Sequence, residues 1–240
     1  MERPLLLLIP GLLCDEATWT RQVQALDAVA RCQVVDHGQR DSIEDMARHV
    51  LGQAGSDRFA IAGHSMGGRV ALEVVRQAPD RVVGLALLDT GYQPRAPGEA
   101  GEQERRQRHA LLEIARTRGM RAMGEQWARG MVHPRRVATP LFEEVLTMIE
   151  RSTPGRFEAQ IRALLERPDA TRVLDAIRCP TLLVCGRQDA WSPLARHEEM
   201  QRAIAASVLE VVEDSGHMSP MEQPQAVSAA LAAWLARIRV

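Results

Sequence analysis

Ser65 lies in the run Gly63-His64-Ser65-Met66-Gly67-Gly68, directly after the apolar stretch Phe59 to Ala62 and directly before a helical pattern. A serine at a tight strand-to-helix turn sits on strained backbone, and small residues at Gly63 and Gly67 remove contacts that side chains would make there. The helix that follows points unsatisfied N–H groups and a partial positive charge at the same spot, which favours an anionic intermediate. The chemistry served by this arrangement is nucleophilic attack on a carbonyl.

A serine hydroxyl is a weak nucleophile at neutral pH and needs a base within hydrogen-bond reach, usually histidine. Of seven histidines, His217 is the best placed: Asp214-Ser215-Gly216-His217 forms a loop after the last expected strand. His64 adjoins Ser65, but its backbone should aim it away, which leaves it a structural or pocket-lining role. His37 follows a strand and could line the site. His197 is expected on a helix surface, and His49, His109 and His133 face solvent or cap helices. The base in turn needs a carboxylate that fixes its tautomer and stabilises the imidazolium. Asp189 meets this need in Gly186-Arg187-Gln188-Asp189, immediately after the apolar run Thr181 to Cys185 and 28 positions before His217. The chain order is then Ser, Asp, His. Asp89, at the end of an earlier strand, is the rival, and Asp214 reads as a loop-capping carboxylate. Donors for a developing oxyanion are offered by the Met66 N–H and by Pro10-Gly11-Leu12-Leu13, with the Leu12 N–H preferred.

Elements that can position these residues follow from the apolar pattern. Short continuous apolar runs bounded by Gly, Pro and Asp indicate buried parallel strands. They are Leu5 to Ile9, Cys32 to Asp36, Arg58 to Ala62, Val82 to Leu88 and Thr181 to Cys185, with Val208 to Val212 as a sixth. Helical patterns fall between them at Trp19 to Leu26, Ile43 to Leu51, Gly67 to Gln77, Arg196 to Ala203 and Gln225 to Ile238. This alternation predicts a doubly wound α/β sheet. From 91 to 175 there is only helical periodicity, opened by Pro94, Pro97, Gly98 and Gly101 and closed by Cys179-Pro180. The expected organisation is a core of 1–90 and 176–240 with a helical cap, 91–175, inserted over the C-terminal edge of the sheet.

Composition narrows the chemistry. With 240 residues the chain can bury one full core. Its 30 basic and 31 acidic residues give a net charge of −1, so no global field attracts nucleic acid or anionic lipid. Every basic residue is arginine, which excludes Schiff-base chemistry and the lysine-dependent phosphate loop. Cys14, Cys32, Cys179 and Cys185 show neither metal-ligand spacing nor the density of a disulfide scaffold, and read as reduced thiols. The apolar start, Leu5 to Ile9, is interrupted by Pro10 and Gly11, and no 18-residue apolar stretch follows. A cytoplasmic location with no membrane role is therefore expected, and no metal or organic cofactor is required.

With Ile9-Pro10-Gly11-Leu12, Gly63 to Gly68, Gly186 to Asp189, Gly216-His217-Met218 and Glu222-Gln223-Pro224 in place, nearly the whole chain resembles the α/β-hydrolase family, in particular its small cap-bearing esterase-like branch. The family often has His before the oxyanion-loop glycine, where this chain has Pro10. The resemblance implies an α/β-hydrolase fold with a mainly parallel sheet of about six strands. It also implies hydrolysis of a small carboxylic ester, thioester or lactone through an acyl-enzyme on Ser65. The same triad can serve carbon-carbon bond hydrolysis, perhydrolysis or a lyase step, and some proteins of this fold are small-molecule receptors. Leu12, Leu13, Met66, Tyr92, Trp127, Met131, Trp191 and Met218 are the expected pocket lining. From 95 to 175 the chain carries 15 Arg against 12 Asp plus Glu, so Arg105, Arg106 and Arg108 could hold an acidic acyl-carrier protein. The expected partner is otherwise a small-molecule substrate, with the chain a monomer or homodimer.

Overall fold

The computed structural model describes residues 3–238. Six strands, β1 (Leu5–Ile9), β2 (Arg31–Val34), β3 (Phe59–His64), β4 (Val82–Leu88), β5 (Thr181–Gly186) and β6 (Ser207–Val212), form one sheet. Its order is β2-β1-β3-β4-β5-β6 and every neighbouring pair is parallel. A parallel sheet is covered on both faces, and the alternation of side chains in β1 shows it: Leu5, Leu7 and Ile9 enter one core layer while Leu6 and Leu8 enter the other. All five residues of β1 are buried.

Helices α1 (Thr20–Leu26) and α11 (Pro224–Leu235) cover one face, packing Trp19, Leu26, Leu231 and Trp234 against it. Helices α2 (Ile43–Gln53), α3 (Met66–Gln77) and α9 (Leu194–Ala203) contribute to the layer on the other face. The start of α2 is set locally: the Ser42 hydroxyl accepts the Asp45 N–H at 3.1 Å, and Glu44 and Asp45 stand in the first turn where the helix dipole favours acids. Between β4 and β5 the chain forms α4 (Gly98–Arg118), α5 (Met120–Trp127), α6 (Pro140–Glu150), α7 (Pro154–Leu165) and α8 (Thr171–Ala176), with no strand. A short helix, α10 (Ser219–Glu222), precedes α11. No described helix is long and apolar enough to cross a membrane.

The strand order reverses between β1 and β3: β2 lies to one side of β1 and all later strands lie to the other. In open α/β sheets the crevice beyond the carboxyl ends at such a point is where ligands bind. The loops leaving those two strands are Pro10–Leu13 and the turn at Ser65, so topology alone brings them together.

Several boundaries differ from the sequence expectation. Strand β2 starts at Arg31 and ends at Val34, although the Val35 N–H still reaches Leu8 O at 3.0 Å. Strand β3 runs through Gly63 to His64, pairing with Leu87 and Leu88, so it delivers Ser65 with no intervening loop. Helix α9 begins at Leu194, just after Pro193, and α11 ends at Leu235 rather than Ile238.

Candidate active site

Ser65 has φ 55° and ψ −116°, a left-handed conformation that non-glycine residues hold only where the surroundings impose it, at a cost on the order of 1–3 kcal/mol. Its backbone is clamped to the end of β4: the Ser65 N–H donates to Leu88 O at 2.9 Å, and Ser65 O accepts the Thr90 hydroxyl at 2.6 Å and the Gly68 N–H at 3.0 Å. A β-carbon on Gly63 would strike the Gly67 carbonyl, and one on Gly67 would strike the Ile9 carbonyl. The two glycines therefore let β1, β3 and α3 approach closely enough to form the turn.

His217 bridges the neighbouring side chains. Its Nε2 lies 2.8 Å from Ser65 Oγ, and its Nδ1 lies 2.8 Å from Asp189 Oδ2. Imidazole and carboxylate are both buried, at 3% and 4% exposure. Asp189 Oδ1 is occupied separately by the N–H groups of Trp191 (2.8 Å) and Ser192 (2.9 Å), which fixes the carboxylate plane. Burial alone would push Asp189 up, but His217 and these two N–H groups hold it below the usual carboxylate range. Burial would likewise push His217 down, and the charge and hydrogen bond of Asp189, with Asp89 and Glu222 beyond, outweigh it and raise the imidazole. The Nδ1–H tautomer follows from these partners, leaving Nε2 to accept a proton from Ser65.

The loop carrying His217 is held on every side. The His217 N–H donates to Met131 O at 2.7 Å, and His64 Nε2 donates to His217 O at 2.7 Å. Burial and the nearby His217 push His64 down to about 3, so it stays neutral as that donor. The Glu222 carboxylate accepts the N–H groups of His133 (2.7 Å), Gly216 (2.9 Å) and Met218 (3.2 Å). Sequence reading placed Glu222 in the histidine-loop motif without giving it this task.

Asp89 does not reach His217. It is fully buried, its Oδ1 accepts the Gly186 N–H at 2.9 Å, and its Oδ2 accepts the N–H (3.2 Å) and hydroxyl (2.5 Å) of Ser219. It thus joins the turn that carries Asp189 to the loop that carries His217. Burial and the neighbouring Asp189 push its carboxyl up to about 8.

The Leu12 and Met66 N–H groups find no acceptor among the described residues. Both residues line a cavity of about 1070 Å³ that also reaches Ser65 and His217. Trp127, Met131 and Trp191 are on its wall, together with Phe157, which sequence reading missed. Trp127 and Trp191 stack with ring centroids 5.2 Å apart, and Trp191 lies 5.1 Å from the His217 ring. Leu13, Tyr92 and Met218 are not part of that wall. The Leu13 N–H donates to Gln160 Oε1 at 2.9 Å, the Tyr92 hydroxyl donates to Glu199 at 3.0 Å, and Met218 is buried in the core. Nor do Arg105, Arg106 and Arg108 stand free: each meets a carboxylate of its own helix, Glu102, Glu99 and Glu104 respectively. His197, expected on a helix surface, is fully buried, and its Nε2 accepts the Thr90 N–H at 3.2 Å. It supports the residue that clamps Ser65.

Comparison with known proteins agrees with this architecture. The Alpha/beta hydrolase family model matches residues 6–230. The chain is 25% identical to a pimeloyl-[acyl-carrier protein] methyl ester esterase of Nitrosomonas europaea, covering 92% of each chain. It is 30% identical to a thermophilic esterase from Thermogutta terrifontis, solved with malate bound, with a TM-score of 0.89 over 99% of this chain and 91% of that one. The enol-lactonase from Burkholderia xenovorans LB400, at 21% identity and a TM-score of 0.84 over 98% of this chain and 92% of that one, shares the fold. From its switch-point crevice, its strained serine turn and the match along nearly its whole length, the chain belongs to the alpha/beta hydrolase family.

Proposed function

We propose that this chain is a serine hydrolase that cleaves a carboxylic ester, thioester or lactone through an acyl-enzyme on Ser65. The observation that carries the reading is the unbroken pair of 2.8 Å contacts, Ser65 to His217 and His217 to Asp189, opening onto a cavity. Ser65 Oγ attacks the acyl carbon as its proton passes to His217 Nε2, and Asp189 stabilises the imidazolium through Nδ1–H. The Met66 and Leu12 N–H groups, free of other acceptors, receive the developing oxyanion. His217 then protonates the leaving group, and water attacks the acyl-enzyme by the reverse route to restore Ser65. In this reading the helices of 91–175 act as the cap, and its Trp127, Met131 and Phe157, with Trp191 from the loop after β5, form an apolar wall for the acyl or alcohol part. Two similar proteins, an esterase at 30% identity and a methyl ester esterase at 25%, support ester cleavage as the reaction class. The four cysteines are free, which suits a reducing cytoplasm.

Incubation with a fluorophosphonate and mass mapping of the labelled peptide tests the assignment. Ser65 should carry the label, and Ser65→Ala should lose the label and turnover of p-nitrophenyl esters by several orders of magnitude. A folded Ser65→Ala protein that keeps near wild-type turnover would sink it.

A further inference from the structure

Five arginines, Arg69, Arg95, Arg108, Arg167 and Arg196, line the cavity against a single carboxylate, Glu104. Three of them are ion-paired. Arg108 (2.9 Å) and Arg167 (2.8 Å) share Glu104, and Arg95 meets Glu102 at 3.1 Å. Arg69 and Arg196 have no Asp or Glu within 4.0 Å among the described residues, although both are half-buried. Each is instead steadied by one backbone carbonyl, Arg69 Nη1 on Gln93 O at 2.7 Å and Arg196 Nη1 on Trp191 O at 3.1 Å.

The two guanidinium groups converge. A β-carbon built on Gly91 would lie 3.0 Å from Arg69 Nη2 and 3.2 Å from Arg196 Nη1, so both cations reach the same spot beside the chain. That spot is one residue from Thr90, whose hydroxyl holds Ser65 O, and Arg69 itself stands one helical turn after Ser65 on α3. Desolvation, then Arg167 and Arg196, push Arg69 down to about 9, which still leaves it charged at neutral pH. Two partly desolvated cations without a direct ion-pair partner among the described residues, facing a cavity, are stabilised when an anion arrives there. Guanidinium forks match the planar geometry of a carboxylate better than a point charge does.

On the hydrolase reading above, we propose that the substrate carries a free carboxylate clamped by Arg69 and Arg196 while its ester carbonyl meets Ser65: a monoester of a dicarboxylic acid. The Ser65 Oγ–acyl bond forms as the acyl–OR bond breaks, and the alcohol leaves with the proton held by His217. Water then donates its hydroxyl to the acyl carbon and its proton, through His217, to Ser65, so the products are one alcohol and one dicarboxylate, the new carboxyl group releasing its proton to solvent.

The test compares kcat/KM for the monomethyl and dimethyl esters of succinate, glutarate and adipate. The monoester of at least one length should be preferred by about tenfold to hundredfold, the range expected for hydrogen bonds to a charged group. Arg69→Gln and Arg196→Gln should each collapse that ratio toward unity, mainly through KM, while Arg202→Gln, on the exposed part of α9, should leave it unchanged. A diester preference, or a monoester preference that neither substitution moves, overturns the proposal. Calorimetric binding of succinate to the inactive Ser65→Ala protein separates the two readings. If wild-type protein turns over no ester, the hydrolase reading fails, and succinate binding that is lost on adding Arg69→Gln still supports the carboxylate clamp. No succinate binding to folded Ser65→Ala, or displacement by inorganic phosphate at tenfold lower concentration, overturns it.

Discussion

The carboxyl edge of the sheet and the helices between β4 and β5 are held together by different forces. At the edge, Ser65, Asp189 and His217 are each fixed by backbone hydrogen bonds of 2.6–3.0 Å from neighbouring strands and loops, with buried Asp89 and Glu222 tying those loops together. Among the helices, α4 buries only Gly101, Leu112 and Ala115 along 21 residues. It is laced with ion pairs between exposed side chains, such as Arg106 with Glu99 and Arg116 with Glu158. Ser65, Asp189 and His217 sit on the part of the fold held by buried backbone hydrogen bonds. Most of the cavity wall comes from the segment between β4 and β5, in which α4 relies on exposed ion pairs while α6 and α7 bury Phe142, Val145, Phe157 and Ile161 in the core.

The largest expected effect tests whether the edge really divides its two buried carboxylates. Asp189→Asn should lower kcat by roughly 10⁴-fold, because an amide in place of the carboxylate favours the wrong imidazole tautomer. Asp89→Asn should be milder by at least about tenfold, since Asp89 braces loops without touching His217. Steady-state kinetics of both folded variants checks the ranking, and the reverse order would move the acid to Asp89.

A smaller effect is carried by pH. The protonated His217 cannot accept the Ser65 proton, so kcat/KM should fall as pH drops through the imidazole pKa. Asp189 raises that value, so the acid limb should titrate above the ordinary histidine value of about 6.5. A pH–rate profile of the wild type tests this, and a limb below 6.5 would mean that burial outweighs Asp189. The smallest effect belongs to the helices: Arg116→Ala breaks an exposed pair and should move Tm by no more than about 2 °C, with kcat unchanged. A larger shift would erase the contrast between the two regions.

What could be foreseen divides along the same line. Strands β1 and β4 were legible to the residue because burial on both faces leaves continuous apolar runs between breakers. The Ser65, Asp189 and His217 positions were legible because each follows such a run. The last two residues of β3 were not, since Gly63 and His64 carry no strand signal and pair because Ile9, Leu87 and Leu88 lie beside them. The bracing by Asp89 requires Gly186 and Ser219 to meet across distant loops, and the burial of His197 requires α9 to pack beside Thr90. Neither is encoded in local periodicity. Arg69 could have been found, because four residues after Ser65 on one helix is the same face; Arg196 could not, because only the tertiary fold brings it to Gly91.

The 2.7 Å bond from the His217 N–H to Met131 O crosses from the histidine loop to the 91–175 segment. For anyone building chimeras, this makes the segment something other than an interchangeable cassette. A donor sequence spliced between β4 and β5 must bring a carbonyl to the place of Met131, whatever side chains it carries, or the recipient's histidine loop loses a tether. The same holds for the next residue but one, His133, whose N–H meets Glu222 at 2.7 Å, so the segment must keep both backbone groups in register.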